Sequence, residues 1–209
     1  MLVSELDLEV GRSALVLLDY QNYGVHPDGY WAKAVPGSVE RAVPALQRAE
    51  LALAAARAAG LTVIHVANAW RAGHPDINPY TPWQVDAKAA GRSTEGTWGI
   101  EFYEPLAPVN GELVVRKRAV SGFAGTELDR LLRIHGISTV VIAGVVTNFA
   151  AEGTARDASD RGYRVVVLGD CCESVSDEWH SFSITQILPL IAQVVTADAF
   201  IRSLSPPPA

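Results

Sequence analysis

Two ionisable side chains and a glycine-led turn each follow an apolar run in this chain. Asp19 follows the run 15–18, Lys117 follows the run 113–115, and Gly144 opens a turn after the run 140–143. Ligands of open parallel sheets bind outside the carboxyl ends of the strands, where a switch in strand order leaves a crevice. We therefore expect an acid, an amine and a glycine-led turn to meet there. A carboxyl group beside an ammonium group is suited to proton transfer and electrostatic control of a reaction.

The elements that must position these groups follow from the periodicity of the sequence. Continuous apolar runs are typical of parallel strands covered on both faces. They predict strands at 13–19, 61–67, 112–117, 138–144, 163–168 and 192–196. Helical spacing predicts helices at 38–59, 124–135, 150–161, 177–190 and 198–204. Alternating strands and helices require right-handed crossovers. We therefore expect an α/β fold, a three-layer α/β/α sandwich with a mostly parallel, Rossmann-like six-stranded sheet.

Length and composition indicate a single domain spanning residues 1–209. The chain has 209 residues, of which 49% are hydrophobic and 19% charged, and this size suits one sizeable core. The stretch 68–111 is rich in Gly, Pro, Asn and Trp and has little periodicity. A long irregular segment inside a compact domain is usually functional, so we expect it to form a pocket wall or lid. The tail Pro206–Pro208 is expected to be frayed.

Charge and composition argue against several classes of partner and location. The formal net charge is −6 and no run of Lys or Arg occurs, so a nucleic-acid partner is not expected. No uninterrupted apolar stretch is long enough to span a membrane. The first ten residues are acidic and lack the basic start of a secretory signal, which favours a cytoplasmic protein. Cys171 and Cys172 are adjacent and are expected to be buried, inert thiols.

Three sequence blocks carry a resemblance to a known family. They are residues 17–22 (LLDYQN), residues 116–123 (RKRAVSGF) and residues 143–149 (AGVVTNF), in that order and spread over nearly the whole chain. In this pattern the chain resembles the isochorismatase-like hydrolase superfamily, which includes nicotinamidases, carbamoyl-amide hydrolases and ureidoacrylate-type amidohydrolases. The resemblance implies a metal-independent hydrolase of a small-molecule substrate that needs no cofactor and forms homo-oligomers.

The resemblance also assigns candidate catalytic positions. In the thiol members an Asp, a Lys and a Cys act together; Asp19 matches the acid, Lys117 the lysine, and Ala150 the position of the cysteine. A methyl group can neither attack a carbonyl carbon nor be activated by a base, so hydrolysis through a thioester is excluded for this sequence. The family turn implies a non-proline cis peptide between Val145 and Val146 that directs backbone N–H groups into the site.

Three functions remain open at this stage. Members that cleave the enol ether of isochorismate or related compounds work without the cysteine, and this chemistry needs only a proton donor and electrostatic control. In that case Asp19 donates the proton, if burial raises its pKa against the opposing charge of Lys117. Lys117 could instead hold a substrate carboxylate or orient the water. The alternatives are an amide or carbamoyl hydrolase whose cysteine has been replaced by Ala150, and a binding pseudoenzyme.

The remaining candidate residues are expected to line the pocket and contact the substrate. Aromatic walls suit a small planar or cyclic ligand, although any single aromatic residue could serve packing instead. The candidates for substrate binding are Gln21, Tyr23, Trp70, Trp83, Trp98, Phe123, Val145, Val146, Thr147, Asn148 and Phe149. A metal site is not expected, because residues 67–74 lack the Asp and His cluster that nicotinamidases carry there.

Overall fold

The computed structural model describes residues 6–204, so the Pro206–Pro208 tail lies outside the described residues. Its central sheet has six strands, each within about a residue or two of its predicted position. They are β1 (Ser13–Leu18), β2 (Thr62–Asn68), β3 (Leu113–Lys117), β4 (Thr139–Gly144), β5 (Arg164–Leu168) and β6 (Gln193–Val195). All neighbouring strands pair in parallel. The predicted α/β fold with a six-stranded sheet is therefore confirmed.

The strand order creates the crevice that the sequence predicts. The order across the sheet is β3-β2-β1-β4-β5-β6, so the chain leaves β1 in one direction and returns to its other side at β4. This is the doubly wound arrangement in which the carboxyl ends of the two central strands diverge around a ligand site. Asp19 directly follows β1 and Val145 directly follows β4. The topology therefore brings both segments to the same edge of the sheet.

Helices cover both faces of the sheet. They are α1 (Asn22–Val25), α2 (Tyr30–Ala34), α3 (Ser38–Ala58), α4 (Pro82–Ala89), α5 (Leu128–Ile134), α6 (Glu152–Asp160), α7 (Asp177–Phe182) and α8 (Ala197–Ser203). Side chains of β1 alternate between the two layers, with Leu15 and Leu17 in the core that contains α3 and α8. Val16 and Leu18 lie in the core that contains α5 and α6. The buried strands are thus apolar on both faces, which explains their continuous rather than alternating pattern.

Three predicted helices are shorter or more irregular in the structure. The segment predicted as helix 124–135 is helical only in α5, because Gly125 has φ +69° and residues before it form turns. The segment 150–161 begins with a π-helical turn, Thr147–Ala151, that continues into α6. The segment 177–190 changes from α7 to a π-helical turn and then to a 3₁₀ turn that contains Pro189. Proline lacks the backbone N–H that a continued α-helix needs.

The long segment between β2 and β3 contains more regular structure than its composition indicates. It includes α4, which starts with Pro82 in its first turn, and two 3₁₀ turns, Trp98–Ile100 and Glu104–Leu106. Proline is favoured at that position because its missing N–H would be unpaired there in any case. Within residues 6–204, no helix has the length and apolar character needed to cross a membrane.

Candidate active site

Asp19 occupies a constrained position at the end of β1. Its φ angle is 56°, in the left-handed region that Asp tolerates better than most residues with a side chain. Its backbone N–H donates to the carbonyl of Val66 at 2.8 Å, which holds the turn against β2. The residue is 5% exposed. A tight turn therefore fixes this carboxyl group below the surface, as a site for controlled proton transfer requires.

Lys117 reaches Asp19 from the end of β3. Its Nζ atom lies 2.7 Å from Oδ2 of Asp19, and the residue is 2% exposed. The same ammonium group donates to the carbonyl oxygens of Ala119 at 3.2 Å and Val120 at 3.1 Å. An ammonium group has three donors, and here all three have protein acceptors. Lys117 therefore has no N–H left to bind a substrate carboxylate or a water.

The electrostatics of Asp19 follow from burial. Burial raises the pKa of Asp19 above its ordinary value, while the charge and hydrogen bond of Lys117 act in the opposite direction. Oδ1 of Asp19 is buried and has no hydrogen-bond partner within residues 6–204. A carboxyl group with one oxygen held by an ammonium group and the other unpaired can exchange a proton with a bound molecule.

The turn after β4 forms the third side of the site. The peptide between Val145 and Val146 is cis, as the family resemblance implied. The backbone N–H of Val145 donates to the carbonyl of Leu18 at 3.1 Å, next to Asp19. Gly144 lies so close to Leu18 that an added Cβ would stand 2.5 Å from the Leu18 Cβ. Ala150 follows in the π-helical turn and is 2% exposed.

These segments enclose one cavity of about 260 Å³. Nine of the predicted site residues line it, namely Asp19, Tyr23, Trp83, Lys117, Val145, Val146, Asn148, Phe149 and Ala150. The walls are largely apolar and aromatic. The structure therefore places an acid, an amine and the methyl group of Ala150 around a space that suits a small molecule.

The prediction that Gln21 lines the cavity is wrong. Its side-chain amide donates to the carbonyls of Asn68 at 3.0 Å and Ile100 at 2.8 Å, and its Oε1 accepts from the backbone N–H of Asn68 at 2.8 Å. The residue is fully buried. These bonds join the end of β2 to the segment around Ile100, so Gln21 supports the site from behind and does not face it.

Three of the predicted aromatic wall residues also lie elsewhere. Trp70 is fully buried, and its ring packs against that of Trp83 at a centroid distance of 5.3 Å. Phe123 lies in the core and stacks on Tyr163 at 6.0 Å. Trp98 is 46% exposed and has an edge-on contact with His26, outside the cavity. Trp70 thus supports the wall that Trp83 forms, while the other two rings belong to the core and the surface.

Thr147 is the remaining predicted contact that the structure places outside the cavity. It is fully buried, and its hydroxyl group lies 2.8 Å from Nδ1 of His180. Its backbone N–H donates to the carbonyl of Glu173 at 2.9 Å. Thr147 therefore joins the turn after β4 to the segment after β5 and to α7.

Sequence reasoning missed several cavity residues. Arg92 comes from the segment between α4 and β3, Glu173 and Ser174 follow β5, Trp31 lies on α2 and Trp179 on α7. The position of Glu173 after a strand was a usable signal, since the carboxyl ends of strands meet at this edge. Within residues 6–204, no three His, Cys, Asp or Glu side chains gather in a way that could hold a metal ion.

The family assignment follows from comparison with known proteins. The Isochorismatase domain family matches residues 13–199, which is most of the chain. This chain belongs to the isochorismatase family. Like other isochorismatase-family members it is a hydrolase, and the three sequence blocks that carry the resemblance surround the cavity described above.

Individual relatives agree with this assignment. Ureidoacrylate amidohydrolase RutB of Methylobacterium radiotolerans is 32% identical over 213 residues, covering 96% of this isochorismatase-family chain and 82% of that protein. A cysteine hydrolase from Pseudomonas syringae has a TM-score of 0.85 at 26% identity, covering 96% and 95% of the two chains. N-carbamoylsarcosine amidase from Thermoplasma acidophilum has a TM-score of 0.71 at 30% identity, covering 90% and 97%.

Proposed function

We propose that this isochorismatase-family hydrolase cleaves the enol ether of a small, cyclic, carboxylated metabolite without a nucleophilic side chain. The observation that carries the proposal is the pairing of Ala150 with Asp19 in one cavity. A methyl group occupies the family's cysteine position, so no covalent acyl intermediate can form there. Asp19 beside it is a buried acid with an unpartnered oxygen, which is what proton transfer to a substrate needs.

The proposed reaction balances with water as the second substrate. The Asp19 carboxylic acid gives its proton to the terminal vinyl carbon, and the electrons of the double bond form the new C–H bond. The resulting oxocarbenium carbon accepts water, whose proton returns to the Asp19 carboxylate. The hemiketal then breaks its C–O bond to the ring as its hydroxyl proton passes to the ring oxygen, which yields a ketone and an alcohol. The developing positive charge lies close to the Asp19 carboxylate, which stabilises it.

Arg92 is the residue best suited to bind the substrate carboxylate. It lines the cavity, its Nη2 donates to the carbonyl of Trp83 at 3.1 Å, and its guanidinium group lies over the Tyr30 ring at 5.4 Å. Its Nε atom is buried without a partner within residues 6–204. A buried donor without a partner costs about 1–3 kcal/mol, which a carboxylate ligand would recover. Lys117 is unsuited to this role because its donors are already used.

Incubation with isochorismate, with pyruvate followed through lactate dehydrogenase, tests the proposal. The wild type should release pyruvate, and Asp19→Asn should lower kcat by about a hundredfold or more, the usual contribution of a general acid. Arg92→Met should mainly raise KM, because it removes a binding contact. Asp160→Asn, an exposed position on α6, is the matched control and should match the wild type. Absence of pyruvate release by the wild type would contradict enol-ether cleavage.

The names of the relatives favour a second candidate, hydrolysis of a small amide or carbamoyl compound. Ureidoacrylate amidohydrolase and N-carbamoylsarcosine amidase both carry such names. In that case Ala150→Cys should restore ammonia release from ureido and N-carbamoyl compounds, with Asp19 and Lys117 already in place. Ammonia release by the variant together with no pyruvate release by the wild type would replace the first proposal with this one. Inactivity in both assays would favour a binding protein.

A further inference from the structure

The cavity contains a second carboxyl group, that of Glu173, which the proposed reaction does not use. Glu173 follows β5, and its backbone carbonyl accepts from the N–H of Thr147 at 2.9 Å. It also forms an isolated parallel bridge with Val145. The next residue, Ser174, donates its hydroxyl to Oδ1 of Asn148 at 2.6 Å. These contacts hold Glu173 firmly beside the turn that leads to Ala150.

The Glu173 carboxylate has no cationic partner within residues 6–204. Its side-chain hydrogen bond is local, because Oε1 accepts from the backbone N–H of Ser174 at 2.7 Å. The ammonium group of Lys117 is fully used by Asp19 and two carbonyls. Arg92 borders the same cavity but forms no ion pair with Glu173. A half-buried carboxylate beside apolar walls is best stabilised by a cation that a ligand supplies.

The aromatic side chains of the cavity favour the same kind of ligand group. Five rings line it, those of Tyr23, Trp31, Trp83, Phe149 and Trp179. The face of an aromatic ring attracts an ammonium group, and the attraction grows as the cation leaves water. Because Lys117 is paired with Asp19, the charged groups of the cavity that have no ion-pair partner among the described residues are the cation of Arg92 and the anion of Glu173.

We propose that Glu173 and the surrounding rings form a binding site for a cationic amino group, so that the preferred substrate carries an ammonium group at Glu173 besides a carboxylate at Arg92, and isochorismate serves in the assay above as an analogue that lacks the ammonium group. This inference names the substrate class of the proposed active site and therefore rests on the proposed function. It makes Glu173 a residue that determines specificity, while the proton transfer remains at Asp19.

Binding of two matched probes tests this inference by isothermal titration calorimetry. The probes are para-(aminomethyl)benzoate and para-toluate, which share the ring and the carboxylate and differ in the ammonium group. The wild type should bind the zwitterion about tenfold more tightly, the usual effect of a charge-assisted hydrogen bond. Glu173→Gln should abolish this preference, so that the two probes bind with similar affinity. Glu173→Asp should retain part of the preference, and Glu127→Gln, an exposed position outside the cavity, all of it.

Equal affinity of the wild type for the two probes would overturn the inference. The same conclusion would follow if Glu173→Gln kept the full preference, or if the zwitterion did not bind at millimolar concentration. Circular dichroism of each variant identifies loss of binding that comes from unfolding. If Glu173→Gln does not fold, Glu173→Asp replaces it: a reduced preference for the zwitterion supports the inference, and an unchanged preference overturns it. Because calorimetry requires no turnover, these outcomes are independent of whether the wild type releases pyruvate. Failure of the proposed reaction and failure of this inference are therefore distinguishable.

Discussion

The Nζ atom of Lys117 lies 2.7 Å from Oδ2 of Asp19, and both side chains are almost fully buried. Removing either partner leaves a charge uncompensated in the interior, which typically costs about 3–5 kcal/mol. We expect Asp19→Asn and Lys117→Met each to lower the free energy of unfolding by about this amount. The double variant should lose much less than the sum, because it leaves no isolated charge. Urea denaturation of the four proteins measures this coupling.

The pair Arg48 and Asp198 provides a control for this cycle. These residues lie 3.1 Å apart, but their side chains are 45% and 57% exposed. Exposed ion pairs contribute about 0–1 kcal/mol to the free energy of unfolding. In the double-mutant cycle of Arg48 and Asp198, the losses of the two single variants should therefore nearly add up to that of the double variant. Additive losses for Asp19 and Lys117 would contradict the description of the two residues as one coupled, buried unit.

The two native cysteines should be unreactive in the folded protein. Both are buried; burial raises the pKa of Cys172 to about 12 and that of Cys171 well above its ordinary value. The thiolate is the nucleophile, so iodoacetamide at neutral pH should leave the wild type unlabelled. Ala150→Cys should take up one label, because its thiol would face the cavity. Intact mass spectrometry measures the number of alkylated cysteines, and the wild type unfolded in urea should be labelled at both of its cysteines.

A wild type that labels as fast when folded as it does in urea would show that the native thiols are accessible. An unlabelled Ala150→Cys variant would contradict the position of Ala150 at the cavity.

Stability should fall in acid because of a partly buried cluster around Glu112. Arg57 donates to Oε1 and Oε2 of Glu112 at 2.8 and 2.9 Å, and Nε2 of His65 lies 2.9 Å from Oε2. Burial alone would raise the pKa of Glu112, but hydrogen bonds from Arg57, the Val109 N–H and His65 lower it to about 2. Burial lowers the pKa of His65 below its ordinary value of 6.5.

Protonation of Glu112 and protonation of His65 both lower the stability of the folded protein. Each residue binds fewer protons in the folded state than in the unfolded state, so protonation favours unfolding. The contribution of His65 is lost as the pH falls below 6.5, and that of Glu112 as the pH falls from 4.5 towards 2. Glu112→Gln should lower stability at pH 7 by about 2–3 kcal/mol and flatten its dependence on pH in acid.

Urea denaturation between pH 7 and pH 3.5 measures this dependence, with Glu127→Gln as an exposed control that should follow the wild type. A Glu112→Gln curve parallel to that of the wild type at all pH values would contradict the prediction.

Gly144→Ala should destabilise the protein, because there is no room for a side chain at this position. An added Cβ would lie 2.5 Å from the Cβ and 2.6 Å from the carbonyl oxygen of Leu18, which is its partner in the sheet. Because the contact includes backbone, strand β1 or β4 must move, and overpacking costs about 1–3 kcal/mol. Gly11→Ala, where nothing lies within 4 Å, should change stability by less than about 1 kcal/mol. Thermal and urea unfolding compare the two variants, and equal effects would contradict this contact.

The sheet and the pairing of Asp19 with Lys117 could be predicted because their signals are local. Each strand is a continuous apolar run, and Asp19 and Lys117 lie where such runs end. The walls could not be predicted because they depend on contacts between distant residues. Trp70 and Trp83 share one segment without periodicity, and nothing in the sequence indicates that Trp83 faces the cavity while Trp70 packs behind it.

The positions of Gln21 and Arg92 could not be predicted for the same reason. The hydrogen bonds of Gln21 join it to Asn68 and Ile100, far along the chain, so its strand-end position was misleading. Arg92 occupies a turn in which no pattern marks a cavity residue. Assembly into homo-oligomers and a cytoplasmic location stay predictions.

The buried pair Asp19 and Lys117 and part of the cavity wall come from different kinds of backbone. Asp19 and Lys117 are built into the sheet, while Arg92 and Trp83 lie on the long segment between β2 and β3. Exchange of that segment therefore leaves in place the strands that position Asp19 and Lys117. A chimera that takes residues 69–112 from a relative should therefore change the contacts that Arg92 and Trp83 make with a ligand, while the contacts of Glu173, which follows β5, remain.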